Sequence, residues 1–184
     1  MIYFTSDNHF GHKNIIQFCN RPFQNVIEMN SEMVNAWNSV VKPDDTIYHL
    51  GDLIFSMTRK WETKLLKSLN GQIIVIKGNH DRVKQLDYFI NNGLIQEWCY
   101  NKQISYEYNG NTYDFSLNHY PHYPLKNDNL ICLHGHIHGY LEHRNTTHLK
   151  YPRVLDVGVD SVGYVPISIE KVIQIIESDQ YITI

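Results

Sequence analysis

A chain of 184 residues, 42% hydrophobic and 19% charged, has the composition of one globular domain and is too short for two comfortable ones. Its formal net charge of -3 lacks the basic excess that a duplex nucleic-acid surface shows, and no segment nears the roughly 20 apolar residues that span a bilayer. Three cysteines, Cys19, Cys99 and Cys132, form neither a CxxC pair nor an even disulfide set, and the N-terminus lacks a signal-like apolar stretch, so a cytoplasmic setting is expected.

The first apolar run, IYFTS over 2–6, reads as a strand and stops at Asp7, Asn8 and His9. A helix is predicted over 25–41, with Val26, Ile27, Met33, Val34 and Trp37 as its apolar face. TIYHL over 46–50 is a second strand, ending in Gly51 and Asp52, and a helix over 58–69 follows with Trp61, Leu65, Leu66 and Leu69. QIIVIK over 72–77 ends in Gly78, Asn79, His80 and Asp81; a third helix is expected over 81–92, with Asp81 as its cap and Gly93 as its stop. The pattern then turns mostly β. Tyr106 and Tyr108 alternate with Glu107 as on a sheet face, TYDFSL over 112–117 ends in Asn118 and His119, and LICL over 130–133 runs into His134, His136 and His138. A loop with His143 and His148, a strand over 153–159 and a last element from Pro166 read as scaffold.

Five strands therefore carry polar clusters at their carboxyl ends, where open α/β sheets place their ligand crevice, so clusters 130 residues apart can meet. Collected, they offer Asp7, His9, Asp52, Asn79, His80, His119, His136 and His138. Oxygen and imidazole donors without thiolates suit manganese, iron or zinc. Seven of the eight can supply two ions, which leaves His80 over. His49 reads as a sheet residue, and His134 as a neighbour of the ligands. Taken singly, each of these residues is ordinary turn or strand-end chemistry; the ordered set is not.

Asp7/His9 as DxH, Gly51/Asp52 as GD, GNHD at 78–81, the lone His119, and GHIH at 135–138 resemble, in order, the motif set of the calcineurin-like metallophosphoesterases. The resemblance covers residues 2–139. It implies an α/β fold, an α/β/β/α sandwich of mixed sheets flanked by helices, as a single domain over 1–184 without a cap domain. It also implies two divalent ions, manganese first among the candidates. One would be held by Asp7, His9, Asp52 and His138, the other by Asp52, Asn79, His119 and His136. Asp52 would bridge them, as a carboxylate can between ions about 3.5 to 4 Å apart. On this resemblance a metal-bound hydroxide attacks phosphorus while His80 protonates the leaving oxygen.

The opening SDNHFGHKNIIQFCNRPF, with FxHxNI after the DxH motif, also resembles a group of small bacterial and phage members of that superfamily. GDLIFSM departs from the GDxxDRG of protein Ser/Thr phosphatases and argues against a phosphoprotein substrate. The expected partner is a small phosphate ester, with a phosphodiester, a nucleotide or a nucleic-acid end all fitting. Specificity is assigned to the loops over 12–21 and 120–126, with His12, Asn14, Arg82 and His122 as candidate substrate contacts. The alternatives are a phosphomonoesterase, a non-catalytic scaffold that binds partner proteins, and a dinuclear amide or lactone hydrolase. Oligomeric state is open.

Overall fold

The computed structural model describes residues 1–123, 129–139 and 153–178; residues 124–126 of the second specificity loop, together with His143 and His148, lie outside that range. In the first sheet, β1 (Ile2–Thr5), β2 (Thr46–His49), β3 (Gln72–Ile76) and β4 (Glu97–Cys99) run parallel in the order β4-β3-β2-β1, and the short β9 (Ile167–Ser168) pairs antiparallel with β1. The second sheet has the order β5-β6-β7-β8, formed by Asn101–Tyr108, Asn111–Asn118, Ile131–His134 and Val154–Asp156. β5 and β6 are an antiparallel hairpin whose two-residue turn places Asn109 and Gly110 at positive φ, the Asn-Gly turn whose twist matches its strands.

Helices α1 (Ile15–Phe18), α2 (Val26–Val40), α3 (Arg59–Leu66) and α4 (Val83–Asn91) come before the second sheet, and α5 (Val159–Val162) and α6 (Ile169–Glu177) after it. Strand alternation divides the apolar residues between two cores. Ile47, Ile73 and Val75 face Met29, Met33, Trp37, Leu65 and Leu86 of the helices. Phe4, Tyr48, Ile74 and Ile76 face Phe115, Leu117, Ile131 and Leu133 of the second sheet, with Val172 and Ile173 of α6 at the margin. Tyr106 and Tyr108 pack against this second core, as their alternation predicted.

Two predicted helix faces need rotating. In α2 the buried stripe is Met29, Met33 and Trp37, spaced by four, and Ile27 points outward at 78% exposure; in α3 Trp61 is 54% exposed and Glu62 takes the inward place. Asn25 caps α2 by accepting from the amides of Ile27 and Glu28, which sets the register that leaves Ile27 outside. The third helix starts at Val83 with Arg82, not Asp81, at its N-cap. Among the described residues no helix is long and apolar enough to cross a membrane.

Candidate metal centre

The carboxyl ends of β1, β2, β3, β6 and β7 lie together, and backbone hydrogen bonds tie their loops. Asp7 donates its amide to Gly51 (2.9 Å), His9 to Asp52 (2.9 Å), and Gly135 to His119 (3.0 Å). At the strand tips the chain turns sharply: Asp7, His9, Asp52, His136 and His138 all hold positive φ, between 49° and 73°. A non-glycine residue there is held against a cost on the order of 1 kcal/mol or more, and such residues cluster at functional sites. Gly78 is needed for close approach, since a Cβ on it would collide with the carboxylate of Asp52.

Both carboxylates are presented in the same way. Asp7 Oδ2 accepts from the amide of His136 (2.8 Å) and Asp52 Oδ1 from the amide of His80 (2.8 Å), so each has one oxygen pinned by the backbone of another motif. The second oxygen of each faces imidazoles. Asp7 Oδ1 lies 3.9 Å from both His9 Nε2 and His138 Nε2, and Asp52 Oδ2 lies 3.5 Å from His9 Nε2 and 3.6 Å from His119 Nε2. Asn79 Oδ1 stands 2.8 Å from His119 Nε2 and 3.0 Å from His136 Nδ1. All seven residues are thus brought into one cluster, with Asp52 between its halves. With Oδ1 of Asp52 engaged by the His80 amide, Oδ2 is the oxygen it turns toward His9 and His119.

Further contacts orient these groups. His119 Nδ1 donates to the carbonyl of Leu50 (2.8 Å), which turns Nε2 toward Asp52 and Asn79. His138 Nδ1 donates to Asp160 Oδ2 (2.8 Å), and Arg21 holds that carboxylate. Asp156 accepts from the amides of Gly139 and Gly158 and from the hydroxyl of Ser161, fixing the chain just after the GHIH motif. Asp81 accepts from the amides of Asp52 (2.7 Å), Leu53 (3.1 Å) and Gly78 (2.8 Å). The expected helix cap is instead a clamp between the GD and GNHD loops.

Asp7 Oδ1 and both ring nitrogens of His9 are buried with no hydrogen-bond partner among the described residues. Buried polar atoms left unpaired are costly, and a cation facing them removes that cost. Burial drives the Asp7 carboxyl up to about 8, against the His138 charge. Burial also lowers His9 and His136, which favours the neutral imidazole that metal binding requires. His138 is held up at about 10: burial pulls it down, but Asp160, the Cys19 sulfur and Asp7 outweigh it. The orphaned Asp7 and His9 atoms, with carboxylate, amide-oxygen and imidazole donors around them, make a donor set that fits divalent ions.

The remaining expected residues divide. His80 is exposed, its ring 5.3 Å from that of His9. His12 stands at the rim, 4.1 Å from the ring of Phe55, with its buried Nδ1 unpartnered. Asn14 and Arg82 are exposed. His122 folds back along β6, where Nδ1 meets the Tyr120 carbonyl (3.2 Å) and Nε2 the Ser116 hydroxyl (2.8 Å), so neither nitrogen is left for a substrate. His49 is buried and held low at about 3 by burial; it accepts from the Gly51 amide and bonds Asn8 Oδ1. His134 is buried beside the loop, bonded to the Gly135 carbonyl. Arg21, Asp156 and Asp160 were not anticipated.

The calcineurin-like phosphoesterase family model matches residues 1–162. An uncharacterized protein of Methanocaldococcus jannaschii is 38% identical over 98% of this chain and 94% of its own. The Gene 66 protein of Mycobacterium phage L5 is 28% identical over 88% of this chain and 87% of its own. A crystal structure of a protein of unknown function from Aquifex aeolicus superposes with a TM-score of 0.71 at 27% identity, covering 95% of this chain and 98% of that one. With its ordered motifs gathered at one edge of two stacked sheets, the chain belongs to the calcineurin-like phosphoesterases.

Proposed function

We propose that this chain is a dinuclear-metal phosphoesterase with a preference for phosphodiesters. The observation that carries the reading is Asp52 Oδ2, 3.5 Å from His9 Nε2 and 3.6 Å from His119 Nε2, with further ligand-type atoms beyond each imidazole. One ion is assigned to Asp7, His9, Asp52 and His138, the other to Asp52, Asn79, His119 and His136. Two divalent ions bound there supply Lewis acidity toward the phosphate oxygens and an activated water.

The chain's own groups do the rest. The amides of His136 and His80 hold the two carboxylates so that each turns one oxygen inward. The Leu50 carbonyl and Asp160 fix the tautomers of His119 and His138. As water oxygen bonds to phosphorus and the ester P–O bond breaks, the leaving oxygen takes a proton from His80, which recovers one from solvent. Asp7 and His9 are buried whereas Asn79, His80 and Arg82 are exposed, so an ester substituted on both sides of phosphorus can approach from the open flank.

The test compares bis-p-nitrophenyl phosphate with p-nitrophenyl phosphate on chelator-stripped protein, with and without Mn²⁺. Mn²⁺-dependent turnover, faster with the diester, is the expected result. Faster monoester turnover would replace diesterase by monoesterase. No turnover, together with no retained metal, would leave a binding scaffold.

A further inference from the structure

A cavity of about 290 Å³ opens beside His80, walled by Phe55, Met57, Arg59, Glu62, Arg82 and Gln85. Its upper wall is tied to the metal cluster. Phe10 donates its amide to Leu53 (3.0 Å) and Phe55 donates to Phe10 (2.8 Å), and Gly11, at φ +86°, lies so close to Phe55 and Met57 that a Cβ would strike both. The Phe55 ring stands edge-on to His80 with centroids 5.3 Å apart.

The floor is built rather than incidental. Glu62 is only 4% exposed, and both its oxygens are engaged: one accepts from Gln85 Nε2 (2.6 Å), the other from Arg59 Nη1 (2.8 Å). Arg59 also lies 4.6 Å over the Tyr88 ring, so its guanidinium is fixed in place. Arg82 has no side-chain partner among the described residues. Two guanidiniums against one carboxylate leave a single positive charge in excess, and it sits on Arg82, two residues from His80.

We propose that this cavity is a leaving-group subsite, taking an alcohol that carries an aromatic ring against Phe55 and an anionic group at Arg82. The inference rests on the phosphoesterase reading: if the leaving oxygen takes its proton from His80, whatever is attached to that oxygen falls where His80 borders the cavity. The wall supplies an apolar aromatic face, and the rim one unpaired planar donor set suited to carboxylate or phosphate. A nucleoside bearing a further phosphate and a phenolic acid share this chemistry.

Two ester pairs test it on the Mn²⁺-loaded enzyme, each pair differing only in the charge of the leaving alcohol. They are methyl 4-nitrophenyl phosphate against its 3-carboxy analogue, and TpT against TpTp, which releases thymidine 3′-phosphate. The anionic leaving group is expected to raise kcat/KM about tenfold, as one charge-assisted contact at a half-open site allows. Arg82→Gln should bring that ratio near one, Arg82→Glu should invert it, and Arg82→Lys should keep most of it. The ratio is internal to each variant, so a folding defect lowers both members of a pair together. Preference in the TpTp pair alone assigns the subsite to nucleotides, and in the aryl pair alone to phenolic acids. Turnover of both pairs with ratios near one in the wild type, or ratios unmoved by Arg82→Glu, overturns the subsite while the phosphoesterase reading stands. Failure of all four esters removes the reading beneath it.

Discussion

Arg21 and Asp160, 139 residues apart in the chain, meet as a buried two-point ion pair, Nε to Oδ1 at 2.9 Å and Nη2 to Oδ2 at 2.8 Å. The same Asp160 oxygen accepts from His138, and the same guanidinium donates to the carbonyls of Asp7 (2.7 Å) and Asn8 (2.9 Å). One arginine thereby sets the first motif loop and the last histidine of the GHIH motif in a fixed relation.

Asp160→Asn should lower metal affinity by about 10- to 100-fold, since the partner that orients a ligand histidine contributes on that scale. Competition with a chromogenic chelator measures it, and wild-type affinity would detach the pair from the metal site. Arg21→Ala should act more broadly, costing about 3–5 kcal/mol of stability in urea unfolding, because it removes one partner of a buried ion pair and the donor to the carbonyls of Asp7 and Asn8.

Asp81→Ala removes the acceptor of three buried amides from two loops, so a loss of about 3 kcal/mol or more is expected in urea unfolding. A helix cap would cost only about 1 kcal/mol, so the size of the loss separates the two roles.

The pH dependence of the stripped protein follows from Asp7. Its carboxyl is raised from 3.8 to about 8 by burial, so the folded state binds a proton that the unfolded state releases. The stability held by that proton is full below pH 4 and is lost as pH rises through 8. Stripped Asp7→Asn should therefore melt above the stripped wild type at pH 8, by roughly 5 °C or more, with the gap closing toward pH 4. Adding Mn²⁺ should reverse the order at pH 8, because the variant has lost a ligand. A gap that does not vary with pH would exclude the buried carboxylate as its source.

His80→Ala should keep its metal content and lose about 10²- to 10⁴-fold in kcat, with smaller losses for esters whose leaving group is already acidic. Equal losses across a leaving-group series would remove the acid role.

What the sequence made legible was local. Short β-branched runs ending in Asp, Asn and His announced both the parallel strands and the edge where they meet, because strand direction is shared in a parallel sheet. The three-residue β4 offered no alternation to read, and α1 lay inside what reads as a loop. Asp81 stands where a cap stands, and only the approach of the GD loop from β2 shows where its oxygens go. The roles of Arg21 and Asp160 were hidden for a different reason: Arg21 read as the end of a specificity loop and Asp160 lies outside every motif, and they act together only once β8 has delivered α5 to His138.

The left-handed turns at His9, His136 and His138 put folding and chemistry in opposition. Selection for a well-folded chain alone would move those positions toward glycine, which takes such a backbone without strain. Histidine at all three is therefore a mark of use, and a copy of this fold kept only as a platform would be recognised by glycines appearing there before any other part of the sheets had changed.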